Sequence, residues 1–251
     1  GYTSAWVAEG HGGDQFAILS AAAVQTSRIK LGTAITSVYV RTAPTLAMAA
    51  MTVDQLSEGR MILGVGSSHR VQVEPEHGVT YTKPITRTRE TVQFVRDLMR
   101  DGVASIRGEA VRIENFDLWF EPYRKHMPIY AAGLFQKMVE TTGEIADGII
   151  LTRSTLKTAA EIRPQLAAGA ARAARDAGAI QVTTLCPTAV RDDSRAALDQ
   201  MRPGLALYAG FFPRYNKLIA NHGFAAEAAE IAERWAAGDK DGAAKAVTDE
   251  M

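Results

Sequence analysis

The chain has 251 residues, 47% hydrophobic and 22% charged, with 28 basic residues against 28 acidic ones and a single cysteine. That composition excludes disorder, collagen-like repeats and a disulfide scaffold, and the balanced charge argues against nucleic acid or a membrane surface as partner. Lone Cys186 fits a reducing compartment, no run reaches the ~18 apolar residues of a membrane span, and no basic-then-apolar leader opens the chain, so a cytoplasmic protein is expected.

Short β-branched runs alternate with longer helical patterns, the order expected of βαβ units and a parallel sheet. Strands are predicted at 4–9, 29–36, 60–66, 128–133, 148–152 and 181–190, and their near-continuous apolar character fits strands covered on both faces. Helices are predicted at 14–26, 43–58, 84–100, 135–146 and 155–177. Asp14 can cap the first, Pro84 suits a first turn, and Gly59 and Gly102 follow two ends. The stretch 67–127 is an insertion holding a helix and then a small hairpin around Gly108, and such insertions build sites. Residues 191–251 are Ala-rich and helical, with Pro203, Pro213 and Gly223 as breaks. The whole chain, 1–251, is read as one domain. Six strands suit an open doubly wound sheet, or a (β/α)8 barrel lacking its first and last βα units.

The C-terminal ends of strands build the site in either fold. The first strand ends at Glu9, followed by Gly10, His11, Gly12 and Gly13; a carboxylate and an imidazole beside glycines suit acid–base work. The plainer alternative pairs Glu9 with a loop cation and leaves His11 in solvent. The second strand continues through Ala34, Ile35 and Thr36 to Tyr39 and Arg41, small residues that let a flat ligand approach the backbone or simply pack well. The third ends Gly64-Val65-Gly66-Ser67-Ser68-His69, which resembles a dinucleotide fingerprint. His69 stands where the third glycine belongs, and no helix is expected directly afterwards. Its loop still offers N–H groups and hydroxyls to a phosphate, as does the helix start after Ala131, Ala132 and Gly133; the alternative at both is a tight turn that needs glycine. The spacing of His69, His77, His126 and His222 argues against a metal site. Trp6, Trp119 and Trp235, with Cys186, read as packing residues.

Six segments in order, SAWVAEGHGGDQF, RIKLGTAIT with VRTAP, LSEGRMILGVGSS, KPITRTRETV, DGVASIRGEAVRI and PIYAAG followed by GEIADGIIL, resemble the bacterial luciferase-like oxidoreductases. The likeness is nearest to the branch that uses the deazaflavin coenzyme F(420), including the methylenetetrahydromethanopterin reductase-like enzymes. The resemblance implies a TIM-type barrel with the cofactor in its mouth and a non-proline cis peptide at Ala34–Ile35, with Ile35 as backstop. It also implies that Gly66, Ser67, Ser68, Ala131, Ala132 and Gly133 hold the cofactor's ring edge or phosphate. Glu9 matches an acidic residue near the ring, but relatives often place His directly after that acid, and here Gly10 intervenes before His11.

The expected function is hydride transfer between coenzyme F(420), or a flavin, and a small organic substrate. Alternatives are a reduced-FMN monooxygenase, a redox-inactive flavin-binding barrel, and a phosphate-handling barrel without redox cofactor. Tyr39, Arg41, His69 and Arg70 are candidates for the substrate or the cofactor's tail, and a homodimer is expected.

Overall fold

The computed structural model describes residues 1–251, apart from the side chains of Leu156 and Ala159. Its packing divides into two compact units: Gly1–Leu151 with Ala160–Thr183, and Thr152–Ala159 with Thr184–Met251.

The first unit is built on strands β1 (Ser4–Val7), β2 (Lys30–Thr33), β3 (Thr36–Ser37), β4 (Met61–Gly66), β5 (Val103–Arg107), β6 (Arg112–Asp117), β7 (Ile129–Ala132), β8 (Gly148–Thr152) and β9 (Gln181–Leu185). Seven of them form one sheet in the order β1-β2-β4-β7-β8-β9, with β3 beside β4. The registered pairs β1·β2, β2·β4, β3·β4, β4·β7 and β7·β8 are parallel. That order rises steadily along the chain. A doubly wound sheet reverses its order at a switch point, so this sheet is wound in one direction, as in a barrel. Helices α1 (Gln15–Gln25), α2 (Ala43–Leu56), α3 (Arg70–His77), α4 (Pro84–Asp101), α5 (Gln136–Ile145) and α6 (Leu156–Arg172) lie between the strands in sequence.

Sequence punctuation does what it promised at several ends. Asp14 caps α1 by accepting from the Ala17 amide, Pro84 starts α4, and Gly102 ends it at φ +76°. Gly108 leads the β5–β6 turn, where Glu90 of α4 accepts from the amides of Glu109, Ala110 and Val111.

The predicted second strand is interrupted. It stops at Thr33, the Ala34–Ile35 peptide is cis, and pairing resumes on β4 at Thr36. Fully buried β4 and nearly buried β8 match the expectation of strands covered on both faces, whereas β1 is half-buried and β9 is partly exposed. The sixth strand ends at Leu185, not Val190, and Val190 is exposed.

Large and small residues alternate across the sheet. Trp6 pairs in register with Gly32, and Tyr130 with both Gly64 and Gly148. A methyl group on any of these glycines would strike a ring or the Thr33 carbonyl. The Trp6 and Tyr130 rings lie 5.9 Å apart. Leu46, Met51, Phe94, Leu98 and Met127 pack with strand residues such as Leu31, Met61 and Leu63 in the main core, and Ile149 and Leu151 of β8 form a second cluster with Ile162 and Leu166.

Four sequence readings do not hold in the folded chain. Helix α3 begins immediately after His69, where no helix was expected. Trp119 is 94% exposed, and Cys186 is exposed too, so neither is a packing residue; each lies just beyond the end of a strand, β6 and β9, where the chain leaves the sheet. Pro203 lies inside a helix and does not break the chain.

The second unit holds α7 (Ser194–Phe211), α8 (Pro213–Asn221), α9 (Ala225–Ala236) and α10 (Lys240–Lys245) around Ala206, Ala209, Ile219, Ala228 and Ile231. Pro213 starts α8 and Gly223, at φ +109°, turns the chain toward α9, as expected of both. No helix among the described residues is long and apolar enough to cross a membrane.

Candidate active site

The C-terminal ends of β3, β4 and β7 adjoin in register: Thr36 faces Val65, Ser37 faces Gly66, and Val65 faces Ala131. Ile35, Gly66 and Ala132 are therefore neighbours. A Cβ on Gly66 would lie 2.9 Å from Ile35 Cδ1 and 3.2 Å from the Ala132 methyl. Ile35 and Ala132 are half-buried, while Ala34, Ala131 and Gly133 are buried beneath them. The result is a shallow apolar cradle built by residues with little or no side chain, backed by one branched aliphatic group.

A polar edge borders it. Ser67 and Ser68 are half-buried, and Ser68 holds a left-handed backbone at φ +52°. The Tyr81 hydroxyl donates to Ser67 Oγ at 3.2 Å and lies 3.4 Å from the Ser68 carbonyl. Tyr81 stacks on Tyr39 with centroids 4.7 Å apart. Tyr39 is buried, donates its hydroxyl to the Thr82 carbonyl at 2.6 Å, and lies beneath the Arg87 guanidinium. Burial, with the Tyr81 ring next in effect, pushes its phenol up to about 12.

Glu9 and Arg41 meet although 32 positions separate them in sequence. The Glu9 carboxylate accepts from the Ser37 amide at 2.7 Å, the Thr36 hydroxyl at 3.1 Å and Arg41 Nε at 2.8 Å. Arg41 also pairs with Asp14, the cap of α1, and lies over the Phe16 ring. The bond from Arg41, with that from the Ala17 amide, holds the Asp14 carboxyl below its ordinary range. Burial opposes the Arg41 charge, but its bonds to Asp14 and Glu9 outweigh burial and raise its pKa. The backbone closes the same knot: the Ala34 amide donates to the Val7 carbonyl and the Glu9 amide to the Ile35 carbonyl, one on each side of the cis bond.

The sequence-derived candidates thus divide. Ile35, Gly66, Ser67, Ser68, Ala132 and Gly133 come together at the strand ends. Thr36 is adjacent, but its hydroxyl is committed to Glu9. His11 does not join Glu9; its imidazole is 79% exposed and pairs with Glu76 at 3.2 Å. His69 caps α3 through its backbone position, and Arg70 pairs with Glu74 and donates to the Tyr81 carbonyl. Sequence reasoning missed Asp14 as a partner of the site, Tyr81 and Thr33. The Thr33 hydroxyl donates to the Gly64 carbonyl and accepts from the Gly64 amide, stitching β2 to β4 beneath the cradle. No local signal marks Tyr81, whereas the capping signal at Asp14 was legible and only its second use was hidden.

A family model described as luciferase-like monooxygenase matches residues 1–251. The chain belongs to the luciferase-like monooxygenase family. Among proteins similar to this luciferase-like chain, a 5,10-methylenetetrahydromethanopterin reductase of Archaeoglobus fulgidus is 28% identical over 258 residues, covering 100% of this chain and 76% of its own. A Mycobacterium tuberculosis protein described as a putative coenzyme F(420)-dependent oxidoreductase is 29% identical, covering 100% and 78%. The structure of the coenzyme F(420)-dependent tetrahydromethanopterin reductase of Methanopyrus kandleri superposes with a TM-score of 0.88 at 25% identity, over 100% of this chain and 76% of that one.

The cradle fits the ring system of a deazaflavin or a flavin. Such a ring is planar, apolar on its faces and polar along one edge, and Ile35, Gly66 and Ala132 offer a flat apolar surface beside the Ser67–Ser68 polar edge. The absence of a side chain at Gly66 leaves the space between Ile35 and Ala132 open to a ligand, whereas Gly133 lacks one because Val139 and Ile149 pack against it.

Proposed function

We propose that this chain is an oxidoreductase that uses coenzyme F(420) to transfer a hydride to or from a small organic substrate. One observation carries the choice of cofactor: the likeness over 100% of this chain, at TM-score 0.88, to a coenzyme F(420)-dependent reductase. The cradle at the ends of β3, β4 and β7 supports the reading by its match to the ring. When bound, the deazaflavin supplies or accepts the hydride at its ring carbon C5, and the redox chemistry is the cofactor's own.

The protein's contribution is binding and orientation. Ile35 would back the ring, and Gly66 and Ala132 would permit its close approach. Ser67, Ser68 and the amides up to Gly133 would hold its polar edge. Glu9 and Arg41 act as positioning residues: they pin the segment 34–41 to α1 and so keep Ile35 in place. Arg70, on an exposed part of the same end, is the candidate for the cofactor's anionic tail. The homodimer and cytoplasmic setting expected from the sequence remain part of this proposal, the first checked by sedimentation.

Titration of the purified chain with oxidised coenzyme F(420) and, separately, FMN tests the reading by fluorescence quenching. Micromolar affinity for the deazaflavin with weak FMN binding supports it. The reverse preference moves the assignment to an FMN-dependent monooxygenase, and binding of neither by folded protein overturns the redox function.

A further inference from the structure

The second unit contains a cavity of about 230 Å³ that the redox reading does not use. Leu198, Met201, Leu205, Ile219 and Phe224 give it an apolar wall. Arg153 stands on the same wall, in a left-handed backbone conformation at φ +54° that costs a non-glycine residue energy.

Arg153 is an under-compensated cation. Its guanidinium lies 4.2 Å from the Tyr208 ring centroid, and Nη2 donates to the Gly204 carbonyl at 3.1 Å. Among the described residues no carboxylate pairs with it, and its Nε is buried without a hydrogen-bond partner. The acid on the cavity wall, Asp249, is already held by Arg195 and Arg202. Burial pushes the pKa of Arg153 down, the mark of a charge that its surroundings do not balance.

A buried donor left unmade costs about 1–3 kcal/mol, more when charged, so a guanidinium without a carboxylate on a residue lining this cavity points to an absent anionic acceptor. The apolar wall disfavours a fully hydrated inorganic anion and rewards an apolar body. The cavity is smaller than the ~300–1,000 Å³ sites of drug-sized ligands, which limits that body to about a single ring.

We propose that this cavity binds a small organic carboxylate, with its apolar body against Leu198, Met201 and Phe224 and its carboxylate on Arg153. The inference stands independently of the cofactor, because every interacting group belongs to the second unit.

Calorimetric titration of the full chain, without cofactor, with phenylacetate, phenylacetamide and inorganic phosphate tests it. Phenylacetate should bind, phenylacetamide at least about tenfold more weakly, and phosphate not at all, because one charge-assisted contact is worth roughly a decade or more in affinity. Arg153→Gln should lose at least about tenfold for phenylacetate, with Arg153→Lys between it and the parent, since a lysine keeps the charge but not the fork. Circular dichroism checks that each variant is folded; should Arg153→Gln unfold, the acid–amide comparison on the unaltered protein decides alone. Equal binding of acid and amide, undiminished binding by folded Arg153→Gln, phosphate binding as well as the acid, or no phenylacetate binding would each overturn the proposal. None of these outcomes bears on deazaflavin binding, which is read separately.

Discussion

Replacing Glu9 by Gln probes the knot that holds Ile35. The substitution keeps the volume, and its amide oxygen can still accept from the Ser37 amide and the Thr36 hydroxyl. Its NH2 group then faces Arg41 Nε, donor against donor, and the 2.8 Å charge-assisted bond is lost. A hydrogen bond to a charged group contributes about 1.5–3 kcal/mol. The full 3–5 kcal/mol penalty of orphaning a buried charge does not apply, because Arg41 keeps Asp14 and both side chains retain some solvent contact. The expected loss is therefore about 2 kcal/mol, or a fall of roughly 4–8 °C in melting temperature for a chain of this size. If a substantial part of that loss is borne by the segment carrying Ile35, deazaflavin affinity falls by roughly tenfold, the equivalent of about 1.4 kcal/mol. Thermal unfolding followed by circular dichroism and the fluorescence titration read the two effects. An unchanged melting temperature with intact affinity refutes the positioning argument. Loss of turnover with both unchanged would instead assign the carboxylate a direct chemical role.

Two glycine variants separate stability from binding. Gly66→Ala meets the mobile end of Ile35 at 2.9 Å, so it should cost only about 1 kcal/mol while weakening cofactor binding. Gly64→Ala drives a methyl into the Thr33 carbonyl, which cannot swing away, and should cost more than about 3 kcal/mol. Urea unfolding ranks them, and the reverse order would contradict the packing described. Tyr39 ionises at about 12 when folded, against the 10.0 of an unperturbed phenol. The folded state thus keeps a proton that the unfolded chain releases, so stability should fall as pH rises from about 10 to 12. In Tyr39→Phe that share of the alkaline loss disappears, and the late component of the phenolate absorbance titration goes with it. Glu144 shows the opposite sign: burial opposes its charge, but Arg172 and Arg89 outweigh burial and lower its pKa below 4.5. Its contribution is complete above pH 4.5 and is lost as pH falls through the lowered value, so the stability gap between parent and Glu144→Gln should stay constant above about pH 4.5 and narrow as pH falls below it. A constant gap would remove Glu144 from the acid limb.

Much of this protein is written locally. Short apolar runs located all six strands of the main sheet path, though with longer bounds than the four to six residues observed, because a strand covered on both faces, as β4 is, must be apolar. Capping chemistry placed helix starts at Asp14 and Pro84, since the exposed N–H groups of a first turn need an acceptor or no donor at all. The order of six motifs pointed to the family and, through it, to the cis bond at Ala34–Ile35.

What only the folded chain decided was pairing across space. The one-way strand order separates a barrel-type sheet from a doubly wound one, and no local pattern encodes which strand lies beside which. Trp6 against Gly32, and Tyr130 against Gly64 and Gly148, are complementary only in register. Helix α3 was missed because its sequence is polar and carries an internal Pro75, so neither its amphipathic period nor its propensity stands out. The fate of Glu9 shows the same limit: a carboxylate at a strand end suits catalysis or anchoring equally. Arg41, brought from 32 residues away, joins the Ser37 amide and the Thr36 hydroxyl on that carboxylate, and no local pattern announced these partners. Periodicity records how each segment meets the core, whereas a site depends on which segments meet each other, and that is settled only when the sheet closes its register.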